Sequence, residues 1–372
     1  MNPIRVLVVD DSVVIRRLVT DVLAAETDIE VVGTAVNGRA ALDKVDLLGP
    51  DLVTMDIEMP EMNGIEAVRA LRAAGSRIPI IMFSTLTEQG AAATLDALAA
   101  GATDYVTKPA NVGSVTRSIG QVRDALVPRI RSLVTAARPA AAAVPRGEAP
   151  ASSPAPTGPA ARTGTSPYRL LVVGSSTGGP EALHALFGAL PPLRVPVAVV
   201  QHMPPVFTAQ LAARLDRTTA WTVVEAQDGQ TLRPGVVAVA PGDQHLEVVS
   251  SAGTLTARLH EGPPENYCRP AVDVLFRSAA AAVGQGTLGV VLTGMGRDGA
   301  LGATAIHERG GSVLVQDQAT SVVWGMPGAV VEAGRAEQVL PLAAIAPELR
   351  RRLDRTAATV TPGRGLTAGA AR

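Results

Sequence analysis

Ser176, His202 and Asp298 each follow an apolar run, and together they are the residue types of acyl transfer. Ser176 lies in Gly174-Ser-Ser-Thr-Gly-Gly179, after the run Leu170 to Val173 and before Leu183, Leu186, Phe187 and Leu190 at helical spacing. His202 ends the run Pro196-Val-Ala-Val-Val-Gln201, and Asp298 closes Gly289-Val-Val-Leu-Thr-Gly-Met-Gly-Arg297. A serine hydroxyl is a weak nucleophile at neutral pH and needs a base, itself oriented by a carboxylate. Glycine turns let backbone N–H groups approach an oxyanion. The same strand–turn–helix geometry can instead cradle a phosphate. Against that, Gly174 to Gly179 has neither the lysine of a P-loop nor dinucleotide-fingerprint spacing. Residues 191–201 also lack the acidic residue that a ribose would call for. Each residue alone has a plain alternative, Ser176 and Asp298 as helix caps and His202 as a core histidine. Their joint placement tilts the reading toward a triad.

A second constellation lies in the first half. Asp10 and Asp11 follow the run that begins at Ile4, Asp56 follows the run at Leu52, Ser84 ends the run at Pro79, and Lys108-Pro109 follows Asp104-Tyr-Val. Converging carboxylates suit Mg2+. A lysine offers a point charge to a phosphoryl group, and a carboxylate can attack phosphorus to form an aspartyl-phosphate.

The elements that must position these groups alternate strand and helix patterns. Apolar runs near Ile4, Glu30, Leu52, Pro79 and Asp104 are separated by helical segments; the first segment has Ile15, Leu18, Val19 and Val22 on one face and Ser12 as N-cap. This predicts a doubly wound, mostly parallel α/β sheet over 1–126, with ligands at the strands' carboxyl ends. Residues 127–166 form a Pro/Ala-rich, low-complexity linker that cannot bury a core. A second α/β unit spans 167–356, with shorter runs near Thr222, Val236 and Leu255, a helix after Arg269-Pro270 and a last strand at 312–317. The tail, 357–372, is expected to be disordered.

Composition narrows the function classes. At 372 residues, two domains are expected, and with 47% apolar but only 2% aromatic residues their cores must be mostly Val, Leu, Ile and Ala. A net charge of −1 leaves no electrostatic footprint for nucleic acid. No apolar run reaches the ~18 residues of a membrane span, so no direct membrane insertion is expected. The N-terminus lacks signal-peptide features. The single cysteine, Cys268, excludes an internal disulfide and fits a reducing, cytoplasmic setting. Cys268 itself reads as an inert thiol, its only basic neighbour being Arg269. His245 reads as a loop histidine. His184, His260 and His307 read as surface or helix-face residues. Arg269 is balanced between an acidic substrate and a helix-start salt bridge.

Residues 1–126 resemble a response-regulator receiver domain, through Val9-Asp-Asp-Ser12, Met55-Asp-Ile-Glu-Met-Pro-Glu-Met-Asn-Gly64, Phe83-Ser-Thr85 and Tyr105-Val-Thr-Lys-Pro109. The resemblance implies a flavodoxin-like fold with Asp56 as phosphoacceptor and Mg2+ held by Asp10, Asp11, Asp56 and the Ile57 carbonyl. It makes Ser84, Tyr105 and Lys108 the switch residues. Residues 169–340 resemble the catalytic domain of the chemotaxis protein-glutamate methylesterase family (CheB type), a Rossmann-like three-layer unit. The matches are Gly174-Ser-Ser-Thr-Gly-Gly179, Gln201-His-Met-Pro-Pro205, Ala240-Pro-Gly-Asp243, Arg269-Pro-Ala-Val-Asp-Val-Leu-Phe276 and Leu292-Thr-Gly-Met-Gly-Arg-Asp-Gly299.

That likeness implies Ser176 as nucleophile, His202 as base and acid, Asp298 as orienting carboxylate, and Thr177 and Met295 N–H groups as the oxyanion hole. It implies no cofactor for ester hydrolysis, methyl-accepting chemoreceptors as substrate, glutamine deamidation as a second activity, and a histidine kinase as phosphodonor. The unphosphorylated receiver would pack over the active-site cleft. Two rivals remain from the residues alone: a non-catalytic response regulator, and a nucleotide-dependent enzyme using the glycine turn.

Overall fold

The computed structural model describes residues 2–109, 115–137 and 167–353; the expected tail and the linker beyond Ala137 lie outside the described residues. The first unit runs β1 (Ile4–Val9), α1 (Val13–Ala24), β2 (Ile29–Ala35), α2 (Gly38–Leu48), β3 (Leu52–Asp56), α3 (Gly64–Ala73), β4 (Ile80–Ser84), α4 (Glu88–Ala99), β5 (Asp104–Thr107) and α5 (Val115–Ala137). Its strands pair in the order β2-β1-β3-β4-β5, all parallel. Every residue of β3 and β4 is buried, as expected of apolar runs covered by helices on both faces. Ser12 caps α1 by accepting from the Ile15 N–H. The winding reverses between β1 and β3, so Asp10, Asp11 and Asp56 share the crevice where such sheets bind ligands.

The structure corrects the boundary drawn at 126. Helix α5 continues to Ala137 because Leu126, Val127, Ile130, Leu133 and Val134 form a buried helical stripe. Pro128 within the helix and the alanine-rich stretch after it hid that stripe in the sequence.

The second unit runs β6 (Leu170–Ser175), α6 (Gly179–Ala189), β7 (Val197–Gln201), α7 (Phe207–Thr218), β8 (Thr222–Glu225), β9 (Val236–Val239), β10 (His245–Ser251), β11 (Thr254–His260), α8 (Val272–Val283), β12 (Thr287–Val291), α9 (Ala300–Glu308), β13 (Ser312–Gln316), α10 (Gly325–Glu332), β14 (Gln338–Leu340) and α11 (Leu342–Leu353). A parallel sheet has the order β14-β13-β12-β6-β7-β9-β8, and β10 and β11 form a separate antiparallel hairpin. The strands that lead to Asp298, Ser176 and His202 are therefore the three central neighbours β12, β6 and β7. The winding reverses between β6 and β12, again making a switch point. His245 is not a loop residue as expected: it opens β10, is buried, and its Nδ1 accepts from the Ala271 N–H at 3.2 Å.

The two units pack together through α4, β5 and α5 of the first. The Tyr105 ring stacks on Phe207, with centroids 4.8 Å apart and planes 7° from parallel. The Thr177 hydroxyl donates to Asp104 Oδ2 at 2.9 Å, and Arg214 reaches Asp96 at 2.8 Å. Val323 joins the buried cluster of Val122, Leu126 and Ile130.

Candidate functional site

Strand β6 delivers Ser176 into a tight turn. The Ser176 N–H donates to Thr293 O at 3.0 Å, and its carbonyl accepts from the Gly179 N–H at 2.8 Å and from Gln201 Nε2 at 2.9 Å. Gly178, at φ 75°, turns the chain into α6, whose N-terminus then faces the serine region. Gly294 passes so close that a Cβ there would lie 2.8 Å from the Ser176 Cβ. Ser175 is fully buried and donates to Gln201 Oε1 at 2.7 Å, which leaves Ser176 as the serine open to the cleft.

His202 follows β7, and its Nε2 lies 2.8 Å from Asp298 Oδ2. Asp298 is buried and heavily solvated by the protein. It accepts the N–H groups of Val272 (2.6 Å), Asp273 (2.9 Å) and Gly299 (3.0 Å), and Asn266 Nδ2 (3.0 Å). The first two open α8, so a helix N-terminus points at the carboxylate. Burial alone would raise the Asp298 carboxyl, but the His202 ring and those backbone donors hold it below the usual carboxylate range. Burial disfavours a charged His202, yet Asp298 and Cys268 together carry its pKa up to about 10.

The expected triad is thus joined on one side only. His202 is tied to Asp298, but among the described residues no hydrogen bond links the Ser176 hydroxyl to either ring nitrogen. Nδ1 instead lies 3.5 Å from Cys268 Sγ, so that thiol has a basic neighbour besides Arg269. Ser176 and His202 do face one cavity, closed over by Asp104, Tyr105 and Arg129 of the first unit. Its volume is about 20 Å³, room for roughly one water and not for an ester side chain. The N–H groups of Thr177 and Met295, expected as oxyanion donors, donate to no protein acceptor among the described residues. Arg269 is spent on Asp243 at 2.9 Å and on the Glu261 and Gly262 carbonyls, which favours its structural reading. Gln201, which braces both serines, and Asn266, which braces Asp298, were not singled out from sequence.

In the first unit, carboxylate oxygens of Asp10, Asp11 and Asp56 lie within 4.8 Å of one another. Lys108 Nζ sits 2.8 Å from Asp56 Oδ1 and 3.1 Å from Asp10 Oδ2. The second contact is an ion pair without hydrogen-bond alignment, so Asp10 Oδ2 is buried with no donor. Burial raises the Asp56 carboxyl to about 6; Lys108 opposes the shift and Asp10 adds to it. Three converging carboxylates, two of them buried, fit a hard divalent cation such as Mg2+. The Ile57 carbonyl, expected as a ligand, accepts from the Gly64 N–H at 2.9 Å. The Glu58 carbonyl accepts nothing among the described residues, and Glu58 lines the same pocket, so the next residue is the better placed of the two. The Ser84 hydroxyl turns away from Asp56, donating to Gly90 O at 3.0 Å and accepting from Thr94 at 2.6 Å. Tyr105 is buried against Phe207.

Residues 171–349 match the family model for CheB methylesterase, and residues 6–119 that for the response regulator receiver domain. A Nocardioides sp. protein named protein-glutamate methylesterase/protein-glutamine glutaminase is 66% identical over 370 residues, covering 99% of this chain and 100% of its own. The chain belongs to the CheB methylesterase family. A Trichodesmium erythraeum protein of the same name is 45% identical over 354 residues, covering 95% of this chain and 100% of its own. Among solved structures, the Thermotoga maritima CheB methylesterase catalytic domain is 44% identical, with a TM-score of 0.49 and coverage of 50% of this chain and 98% of that one. The first unit is accordingly called the receiver below, and the second the esterase domain.

Proposed function

We infer that this chain hydrolyses γ-glutamyl methyl esters on methyl-accepting chemoreceptors and that its receiver governs access to the reaction. The observation that carries the reading is the convergence of Ser176, His202 and Asp298 at the ends of three adjacent central strands, beneath a docked receiver. In the open enzyme His202 takes the Ser176 proton as the hydroxyl oxygen attacks the ester carbonyl. The Thr177 and Met295 N–H groups receive the oxyanion, and Asp298 holds the imidazolium. The tetrahedral adduct collapses, His202 returns the proton, and methanol leaves. Water, deprotonated by His202, then cleaves the acyl-serine to release glutamate and restore the hydroxyl. Glutamine amide groups enter the same acyl-enzyme with ammonia as the leaving group.

Control begins at Asp56, whose carboxylate accepts the phosphoryl group of a phosphohistidine on a histidine kinase. Mg2+ held by Asp10, Asp11 and Asp56 would neutralise charge on the phosphoryl oxygens, and Lys108 supplies a second positive contact. Phosphorylation then favours states in which the α4–β5–α5 face no longer covers Ser176. No described helix is long and apolar enough to cross a membrane, and a cytoplasmic site of action suits substrate glutamates on receptor helices.

Replacing Ser176 tests the assignment. Ser176→Ala should abolish methanol release from methylated receptor while Asp56 still takes up phosphoryl groups. Turnover within tenfold of the parent would remove Ser176 from the mechanism.

A further inference from the structure

We propose that Cys268 is a positioning residue of the esterase site, occupying in the docked state the Nδ1 face of His202 that Ser176 must use. The inference rests on the reading of Ser176 as nucleophile and His202 as base. Nε2 of His202 is committed to Asp298 at 2.8 Å, so only Nδ1 is left to accept the serine proton. Cys268 Sγ stands 3.5 Å from that nitrogen, and the Ser176 hydroxyl has no bond to it. Whether the thiol donates to a neutral ring or the sulfur accepts from a protonated one, the lone pair on Nδ1 is engaged. His202 then serves Cys268 or Ser176, not both, and activation must exchange one partner for the other.

The loop before α8 is built to hold the thiol there. Asn266 and Tyr267 adopt left-handed backbone at φ 51° and 63°, which asparagine tolerates and a bulky tyrosine rarely adopts. The turn is closed by reciprocal backbone bonds between Glu265 and Cys268, at 3.1 and 2.8 Å. Asn266 anchors it by donating to both Asp298 and Asp273. Cys268 is half-buried and lines, with His202, a cleft of about 360 Å³ between the two domains.

The remaining charges around the ring are paired among themselves. On the receiver side Arg129 lies 3.2 Å from Asp104. On the esterase side Arg269 is bound to Asp243, and Asp273 accepts the N–H groups of Gly299 and Gly302. Two phenols, Tyr105 and Tyr267, complete the surroundings. Cys268 and Asp298 are thus the groups in direct contact with the imidazole, and both favour its protonated form.

The test compares intact, unphosphorylated wild type with Cys268→Ala and Cys268→Ser, reading kcat/KM for methanol release against pH. The acid limb reports the pKa of the free enzyme's base. Without the sulfur, the base form of His202 should persist to lower pH. The limb of both variants should move down by a pH unit or more, about tenfold faster at a fixed pH on the slope. Normal turnover with an unmoved limb overturns the inference.

A second readout needs no turnover. Cys268 is the only cysteine in the chain, so iodoacetamide alkylation of the thiol reports it alone. In a Ser176→Ala background, adding His202→Gln should slow alkylation at neutral pH at least tenfold. An unchanged alkylation rate also overturns the inference. Failure of wild type to release methanol at all would instead count against the esterase reading.

Discussion

Keeping Asp56 ionised is costly without a cation, because it is buried beside a second carboxylate. Its pKa of about 6 exceeds the ordinary 3.8, so the folded state binds more protons between those values than the unfolded chain does. Stability contributed by this group therefore falls as pH rises through that window, and it recovers when a divalent cation balances the charge. Mg2+ should raise the melting temperature more at pH 8 than at pH 5, where protonated Asp56 no longer attracts it. A Mg2+ effect equal at the two pH values in thermal melts would argue against these carboxylates as the ligands.

At the same scale, the chemistry of this chain was largely legible in its sequence. Asp10, Asp11, Asp56, Lys108, Ser176 and His202 each lie within two residues of a strand end that periodicity identifies, and Asp298 lies in the turn between β12 and α9. The role of Cys268 was not legible. It lies 66 residues from His202, on a turn whose left-handed backbone falls on Asn266 and Tyr267 and not on glycine. No local pattern announces that proximity. The Gly64 N–H already engages the Ile57 carbonyl, a contact between residues seven apart that the motif alone does not reveal.

Among the elements, α4 packs on α6 and α7, and β5 places two specific side-chain contacts between the domains. Tyr105 on β5 stacks on Phe207 at the start of α7, and its neighbour Asp104 accepts from the Thr177 hydroxyl beside the nucleophile. Tyr105 and Asp104 thus tie the receiver to the neighbourhood of Ser176. Stacked aromatic pairs contribute about 0.5–1.5 kcal/mol beyond their buried area. Tyr105→Ala should therefore raise the basal, unphosphorylated esterase rate several-fold, by loosening the docked state. A basal rate unchanged in steady-state methanol release would show that the stack does not hold the receiver down.

Strand and helix alternation predicted the parallel sheets of both domains because β3, β4, β6 and β7 are mostly apolar and buried along their length. The hairpin β10–β11 was legible only near Leu255, since its strands are half exposed and end in polar residues. The far end of α5 was obscured by Pro128, although its buried stripe supports the docking face. Which surfaces of two domains meet is a property of non-local packing, and no sequence period encodes it.

For the whole molecule, the docked receiver covers Ser176 and His202 of the proposed triad. The cavity that Ser176 and His202 face is too small for substrate, and Nδ1 of His202 lies against Cys268 and not against the Ser176 hydroxyl. Each of these features depends on the receiver or on the loop facing it. The central claim is that the receiver, not the triad, limits the resting rate. The direct measurement is methanol release from methylated receptor by three proteins: the intact unphosphorylated chain, its Asp56→Asn variant and residues 167–372 alone. The fragment should be at least tenfold faster than the intact chain, and Asp56→Asn should stay slow when a phosphodonor and Mg2+ are supplied. A fragment no faster than the intact unphosphorylated protein would contradict the account.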